Sequence, residues 1–315
     1  MADVSGSMMA LRAHARGGPE QLVYESAPRP SPGPGEALVR VHAAAITFAE
    51  LGWDETWTRQ DGSDRTPIIP GHEVSGVVEE AGPGCALAVG DEVYGLIDFD
   101  RDGAAAQYVT VPGDVLARKP AGATHEQAAA MALSALTAWQ ALVDQAGIEQ
   151  GERVLIIGAP GGVGVYAVQL ARARGAEVTG TGRESGRELV TRLGAQRFLD
   201  YTAGPLDPGA SGFDVVLDAA GAGDDESFYR ALRPGGRMIL LAGPPDADRA
   251  KKHEVHATFF IVTPDGAELA ALAALVDKGE LEPVVGQRYP LAEGRTAFES
   301  GSRPRPPGKT VLLVG

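Results

Sequence analysis

A chain of 315 residues exceeds the usual size of one hydrophobic core, so two domains are expected. Lys and Arg total 28 against 42 Asp and Glu, and a formal charge of −14 without any basic stripe argues against a nucleic-acid partner. No apolar run is long enough to span a bilayer, and the single cysteine, Cys85, excludes intrachain disulfides and any zinc site built on two thiolates.

Met1 to Gly18 lacks the continuous apolar segment of a secretion signal, so the cytoplasm is the expected address, and a first strand is expected after Met8-Met9. Pro28 to Gly35 reads as a Pro/Gly-rich loop, echoed at Arg303 to Pro307. Short β-like runs then follow at Leu38 to Ala43, Val74 to Glu79, Glu92 to Leu96 and Gln107 to Val111, a spacing that predicts a small, mostly antiparallel barrel. Trp53 and Trp57, one helical turn apart, either roof a planar substrate or pack on the core.

At Thr124 the pattern changes. Thr124 and Gln127 have capping-box spacing ahead of the alanine-rich Ala128 to Val143 segment, which predicts a buried helix. Strand-like and helix-like runs then alternate: Val154 to Ile157, Val163 to Arg174, Glu177 to Thr181, Arg187 to Leu193, Arg197 to Leu199, Val215 to Leu217 and Met238 to Leu241. That is βαβ rhythm and implies a parallel sheet. Asp265 and Glu268 repeat the capping logic, Leu269, Leu272 and Val276 share a face, and Gly279 is a plausible stop. Thr310 to Val314 is a strand that returns to the first domain.

Strand Val154 to Ile157 runs straight into Gly158-Ala159-Pro160-Gly161-Gly162-Val163-Gly164 and then an amphipathic helix. Glycines let a backbone approach a pyrophosphate, whose charge is met by free N–H groups and the positive helix end. Pro160 has no N–H, so Gly161, Gly162 and Val163 are the expected donors; the alternative is a turn that only packs. The second strand ends at Gly182-Arg183 without an acid, about 20 residues past the glycines. Gly182 is read as leaving room for a 2′-phosphate and Arg183 or Arg187 as its partner, which selects NADPH; the other reading makes both arginines solvated helix-start residues.

Taken in order, Pro67 to Val78, Val89 to Gly95, Leu136 to Trp139, the glycine loop, Leu232 to Arg237 and Gly308 to Val311 resemble the medium-chain dehydrogenase/reductase superfamily, in its zinc-free quinone-oxidoreductase branch. The resemblance implies an α/β protein: a GroES-like β-barrel substrate domain over residues 1–123 and 264–315, and a Rossmann doubly wound parallel sheet over residues 124–263 that binds NADPH. It also implies a homodimer, through the apolar strand Ala257 to Val262, and a quinone or enone as the small electrophilic acceptor. By position, Thr137 meets the nicotinamide side, Tyr201 lies near the adenosine phosphate, and Ala242, Gly243, Phe260, Ile261 and Val262 flank the nicotinamide and its ribose. Tyr201 as a half-buried strand residue and Phe260 as core remain alternatives.

The zinc-dependent cousins hold a catalytic metal with Cys, His and Cys, where this chain has Thr47, His72 and Leu133. Catalytic zinc needs three protein ligands, so no metal is expected, and His72 and Glu73 read mainly as structural. Thr47 stands where the family often places an asparagine and is the candidate hydrogen-bond donor to the acceptor oxygen, unless it satisfies local backbone. Two other functions remain open at this stage: a non-catalytic NADPH-binding redox sensor or structural protein, and an enoyl-type reductase of natural-product metabolism.

Overall fold

The computed structural model describes residues 6–59, 61–204, 211–223 and 225–315, so the opening of the Met1 to Gly18 segment lies outside it. Two compact units are present. The first comprises residues 1–133, 263–278 and 283–315, and the second residues 134–262 with 279–282. The change of unit falls after Leu133, inside the helix His125–Trp139, rather than at Thr124. This helix opens with the reciprocal capping box anticipated from sequence: Thr124 N donates to Gln127 Oε1 at 2.9 Å and Gln127 N to Thr124 Oγ1 at 3.3 Å.

In the first unit, Ser7–Ala13 and Leu22–Pro28 form an antiparallel hairpin, so the first strand includes Met8 and Met9 instead of following them. The main sheet runs in the order Val285–Pro290, Lys309–Leu313, Glu36–Ile46, Glu73–Ala81, Glu92–Leu96, Leu116–Arg118, with Tyr108–Pro112 also paired to Glu36–Ile46. Every pairing is antiparallel except that of Val285–Pro290 with Lys309–Leu313. Alternating small and β-branched residues such as Val39, Val41, Val74, Val93 and Val111 fill its core, each fully buried branched side chain contributing about 1.5–3 kcal/mol. The helix Gly266–Asp277 is capped as expected, Asp265 accepting from Ala267 N and Glu268 N, and its Leu269 carbonyl takes the Tyr94 hydroxyl at 2.6 Å.

A titratable pair is built into this unit. His42 on Glu36–Ile46 stacks on His125 with ring centroids 4.4 Å apart, while His125 Nδ1 meets Ser75 Oγ at 2.8 Å and Nε2 meets Glu92 Oε1 at 3.2 Å. Burial first, then the neighbouring His42, pushes His125 down from 6.5 to about 4. The folded ring therefore stays neutral where the unfolded chain accepts a proton, and its stability contribution, complete above 6.5, is lost as pH falls toward 4. Lowering the pH from about 6.5 to about 5 is expected to remove on the order of 2 kcal/mol. Urea midpoints across that window check it, and His125→Asn is expected to flatten the dependence.

The second unit holds a six-stranded parallel sheet ordered Arg197–Asp200, Glu177–Gly182, Arg153–Ile157, Phe213–Asp218, Leu232–Leu240, His256–Phe259. Numbered along the chain this is 3-2-1-4-5-6, the doubly wound order of the Rossmann fold. The strands are nearly continuous apolar runs because helices cover them: Leu155, Val216, Phe213 and Met238 are buried with Phe228 and Tyr229 of the helix Glu226–Ala231. No helix of the described residues is long and apolar enough to cross a membrane.

Candidate active site

All strands of the second unit end on one edge, where ligands bind in open α/β sheets. The loops leaving that edge carry most of the residues singled out from sequence: the glycine loop after Arg153–Ile157, Arg183 after Glu177–Gly182, Tyr201 after Arg197–Asp200, Ala242 and Gly243 after Leu232–Leu240, and Phe260, Ile261 and Val262 after His256–Phe259. Ala242 and Ile261 are exposed, Gly243 and Phe260 half-buried, and Val262 buried. Thr137 is elsewhere, buried in the helix His125–Trp139.

The glycine loop is shaped by contacts that tolerate no side chain. A Cβ on Gly164, the first residue of the helix Gly164–Ala173, would stand 2.3 Å from the Gly158 carbonyl oxygen and 2.7 Å from Ala159 Cα. Gly161 does not donate outward: its N–H bonds Gly158 O at 2.8 Å and closes the turn. Ala159 N is likewise taken by Thr181 O at 2.9 Å. Within the glycine loop, the amides of Gly162 and Val163, and that of Gly164 at the helix start, have no protein acceptor among the described residues.

At the end of the second strand the sequence reading needs two corrections. Gly182 leaves no room for a phosphate, because it is buried and a Cβ there would lie 2.6 Å from Pro160 Cγ and 3.0 Å from Phe198 Cζ. It is a glycine so that Pro160 can pack. Arg187 is committed as well: it grips Glu184 with two hydrogen bonds of 2.6 and 2.8 Å and donates to Phe198 O at 3.1 Å. Arg183 is different, an exposed guanidinium whose Nε donates to the exposed Tyr201 hydroxyl at 3.0 Å while its terminal nitrogens meet no partner among the described residues.

In the first unit, Thr47, Glu73 and Lys309 meet because three strand ends converge. Glu73 opens Glu73–Ala81 opposite Ala45, and Lys309 opens Lys309–Leu313 one residue before Thr310, which pairs with Ile46. Lys309 Nζ lies 2.5 Å from Glu73 Oε1 and donates to Thr47 Oγ1 at 3.0 Å. Thr47 Oγ1 is 3.4 Å from Glu73 Oε1, and Glu73 Oε2 accepts the Leu133 amide at 3.2 Å. Burial pushes the Glu73 carboxyl up, against the pull of the Lys309 ammonium. Glu73 and Lys309 are buried, whereas Thr47 is half-buried.

His72 is anchored separately. Its Nδ1 faces Glu50 Oε2 at 2.8 Å and its Nε2 the Arg101 carbonyl at 3.3 Å, while Phe99 meets the ring edge-on at 5.4 Å. Both nitrogens point at acceptors, so no lone pair is directed at a metal; Thr47 and Leu133 add no zinc-type donor, and among the described residues no group of three or more His, Cys, Asp or Glu could hold one. These three positions supply one zinc-type ligand, where a catalytic zinc takes three. Trp57 is core, with its indole N–H donating to Leu51 O at 2.9 Å, and only Trp53, half-buried and edge-on to Phe99 at 4.9 Å, is free of that packing role. Beside them, a cleft of about 520 Å³ is lined by Asp54, Glu55, Asp98 and Asp100 with Arg59 and Phe99; burial raises the Asp98 carboxyl.

Sequence reasoning missed Glu50, Lys309 and Asp218. Asp218 ends Phe213–Asp218, fully buried, and its carboxylate accepts the amides of Ala220, Ala222 and Gly223 at 3.1, 3.2 and 3.0 Å, which folds the following loop along the ligand edge. An acid closing a central parallel strand before Gly221 and Gly223 is the signal that was present. Glu50 and Lys309 leave no such local trace.

Residues 33–121 match the Alcohol dehydrogenase GroES-like domain family and residues 193–312 the Zinc-binding dehydrogenase family. A probable zinc-binding oxidoreductase, mitochondrial, of Arthroderma benhamiae is 33% identical over 91% of this chain and 92% of its own length. The human quinone oxidoreductase is 30% identical over 98% of both chains. A mycobacterial protein solved in complex with NADPH superposes with a TM-score of 0.84 at 29% identity, covering 97% of this chain and 99% of that one. With its doubly wound sheet, its antiparallel partner unit and these end-to-end similarities, the chain belongs to the medium-chain dehydrogenase/reductase family and is an oxidoreductase.

Proposed function

We propose that the protein uses NADPH to reduce a quinone or α,β-unsaturated carbonyl, and does so without zinc. The observation that carries this reading is the strand-end edge of the second unit, where the open amides of Gly162 and Val163 and the exposed Arg183 and Tyr201 side chains stand on neighbouring loops. The amides and the helix start suit a diphosphate, and an arginine backed by a phenol suits an extra phosphate ester. The mycobacterial neighbour's complex supports NADPH, and the quinone oxidoreductase relative supports the acceptor class.

When bound, NADPH supplies hydride; the chain's own residues hold it, with Ala242, Gly243, Phe260, Ile261 and Val262 assigned to the nicotinamide end and Thr137 to its side. Thr47 is the donor assigned to the acceptor oxygen. A net charge of −14 without a basic cluster in the sequence disfavours docking of a carrier phosphate or a coenzyme A tail, which favours small neutral acceptors over enoyl thioesters. A cytoplasmic homodimer joined through Ala257 to Val262 completes the proposal.

The test is loss of reduced-nicotinamide absorbance with a panel of quinones and enones, NADH serving as control. Arg183→Ala is expected to lower the preference for NADPH over NADH about 10- to 100-fold, the worth of one or two charge-assisted hydrogen bonds. Arg187→Ala is expected to change it far less, since Glu184 already neutralises that guanidinium. Equal preference in parent and Arg183→Ala overturns the assignment of the 2′-phosphate site.

A further inference from the structure

We infer that Lys309 is the positive charge behind the Thr47 hydroxyl, and that the two together form an oxyanion site in the place where a metal would polarise the acceptor. This rests on the hydride-transfer reading above and extends it to a residue that the sequence did not single out.

The geometry is specific. Lys309 has three N–H donors; Glu73 Oε1 and Thr47 Oγ1 take two of them. Because Lys309 donates to the Thr47 oxygen at 3.0 Å, the Thr47 proton is directed away from the lysine. Its one acceptor among the described residues, Glu73 Oε1, is at a long 3.4 Å and is already held by the ammonium at 2.5 Å, so the hydroxyl is poorly satisfied where it stands. Thr47 is also the member of the trio that is half-buried, while the ion pair behind it is covered. A buried ion pair is often replaceable by well-packed apolar side chains without loss of stability. What apolar side chains cannot do is polarise an O–H that reaches an accessible surface.

In the reaction, a hydride given up by the reduced cofactor, which would thereby be oxidised, forms a new C–H bond on the acceptor carbon, and the conjugated π electrons of the reduced acceptor shift to leave negative charge on its oxygen. That oxygen accepts the Thr47 hydrogen bond as its charge grows, with the Lys309 ammonium one bond behind, and later takes its proton from water. Glu73 keeps the ammonium in place, its second oxygen tied to the Leu133 amide.

Lys309→Met and Thr47→Val are each expected to lower kcat about 100-fold, the scale of one lost oxyanion donor, with the NADPH dissociation constant unchanged within about two-fold. Because the residues act as one device, the double variant is expected to be no slower than the worse single. Thr47→Ser should restore most of the rate. Should Lys309→Met fold poorly, Glu73→Gln/Lys309→Met, which removes both charges of the pair, replaces it. Multiplying effects, or parental kcat in either single variant, overturns the inference.

A second arm needs no turnover. p-Nitrophenol, whose phenolate is yellow, is titrated into enzyme loaded with the oxidised cofactor. The parent is expected to bind it as phenolate, with the phenol's apparent pKa lowered by about one unit or more, and Thr47→Val and Lys309→Met to lose that shift. No shift in the parent, or an equal shift in the variants, overturns the oxyanion site. Failure of the parent to oxidise NADPH with any acceptor instead overturns the proposed function, leaving the dye result to decide this one.

Discussion

Gly164→Ala is expected to be the most damaging single-methyl change in the second unit. The new Cβ would meet the Gly158 carbonyl oxygen at 2.3 Å and Ala159 Cα at 2.7 Å, both backbone atoms of the glycine loop that no rotamer change can move aside. The helix Gly164–Ala173 must therefore withdraw from the end of Arg153–Ile157, at about 3 kcal/mol or more of overpacking strain. That withdrawal also displaces the Gly162 and Val163 amides, so NADPH affinity is expected to fall at least about 100-fold. Calorimetric titration with NADPH and urea midpoints measure the two effects separately. Gly161→Ala supplies the graded comparison: its Cβ would approach Gly158 O only to 3.0 Å, so it should be milder in both. A Gly164→Ala protein that bound NADPH like its parent would remove the cradle from the proposal.

The second large effect lies in the first unit. Glu73→Gln leaves the Lys309 ammonium buried without a counter-charge, and breaking such a pair from one side costs about 3–5 kcal/mol. The penalty comes from the unpaired ion rather than from a lost attraction, so removing both charges in Glu73→Gln/Lys309→Met should recover most of it. Denaturant midpoints of the parent, the two single variants and the double variant close the cycle. Equal losses in Glu73→Gln and in the double variant would mean that Glu73 acts by packing and not as a counter-ion.

Much of the architecture was legible because its signals are local. The Thr124 and Gln127 reciprocal cap, the Asp265 cap, the strands Arg153–Ile157 and Glu177–Gly182 and the glycine loop between them are each encoded within a few neighbouring residues. Local reading failed where meaning depends on what arrives from far along the chain. Gly182 looked like vacant space, yet Pro160 of the glycine loop fills it. Arg187 and Arg183 look alike in sequence; Glu184 curls onto the one, and Tyr201 reaches the other from the loop after Arg197–Asp200. Trp53 and Trp57 share a helical spacing, but Trp57 turns inward to the Leu51 carbonyl. Lys309 contacts Thr47 across 262 residues, a meeting fixed by strand register and invisible to any window of sequence. His72 is held by Glu50, a partner that was not found, because nothing in the loop carrying Glu50 signals a histidine to come.

The pairing of Lys309–Leu313 with Glu36–Ile46 has a consequence for biosynthesis. As the chain leaves the ribosome, the first unit cannot close its main sheet until a strand encoded beyond the whole second unit has emerged, whereas the parallel sheet is complete once Phe259 is out. The early strands must wait with an open edge, the condition under which β-structures mispair. Nascent chains halted after the second unit should therefore bind holdase chaperones through residues 36–118, and release from them should coincide with delivery of Leu313.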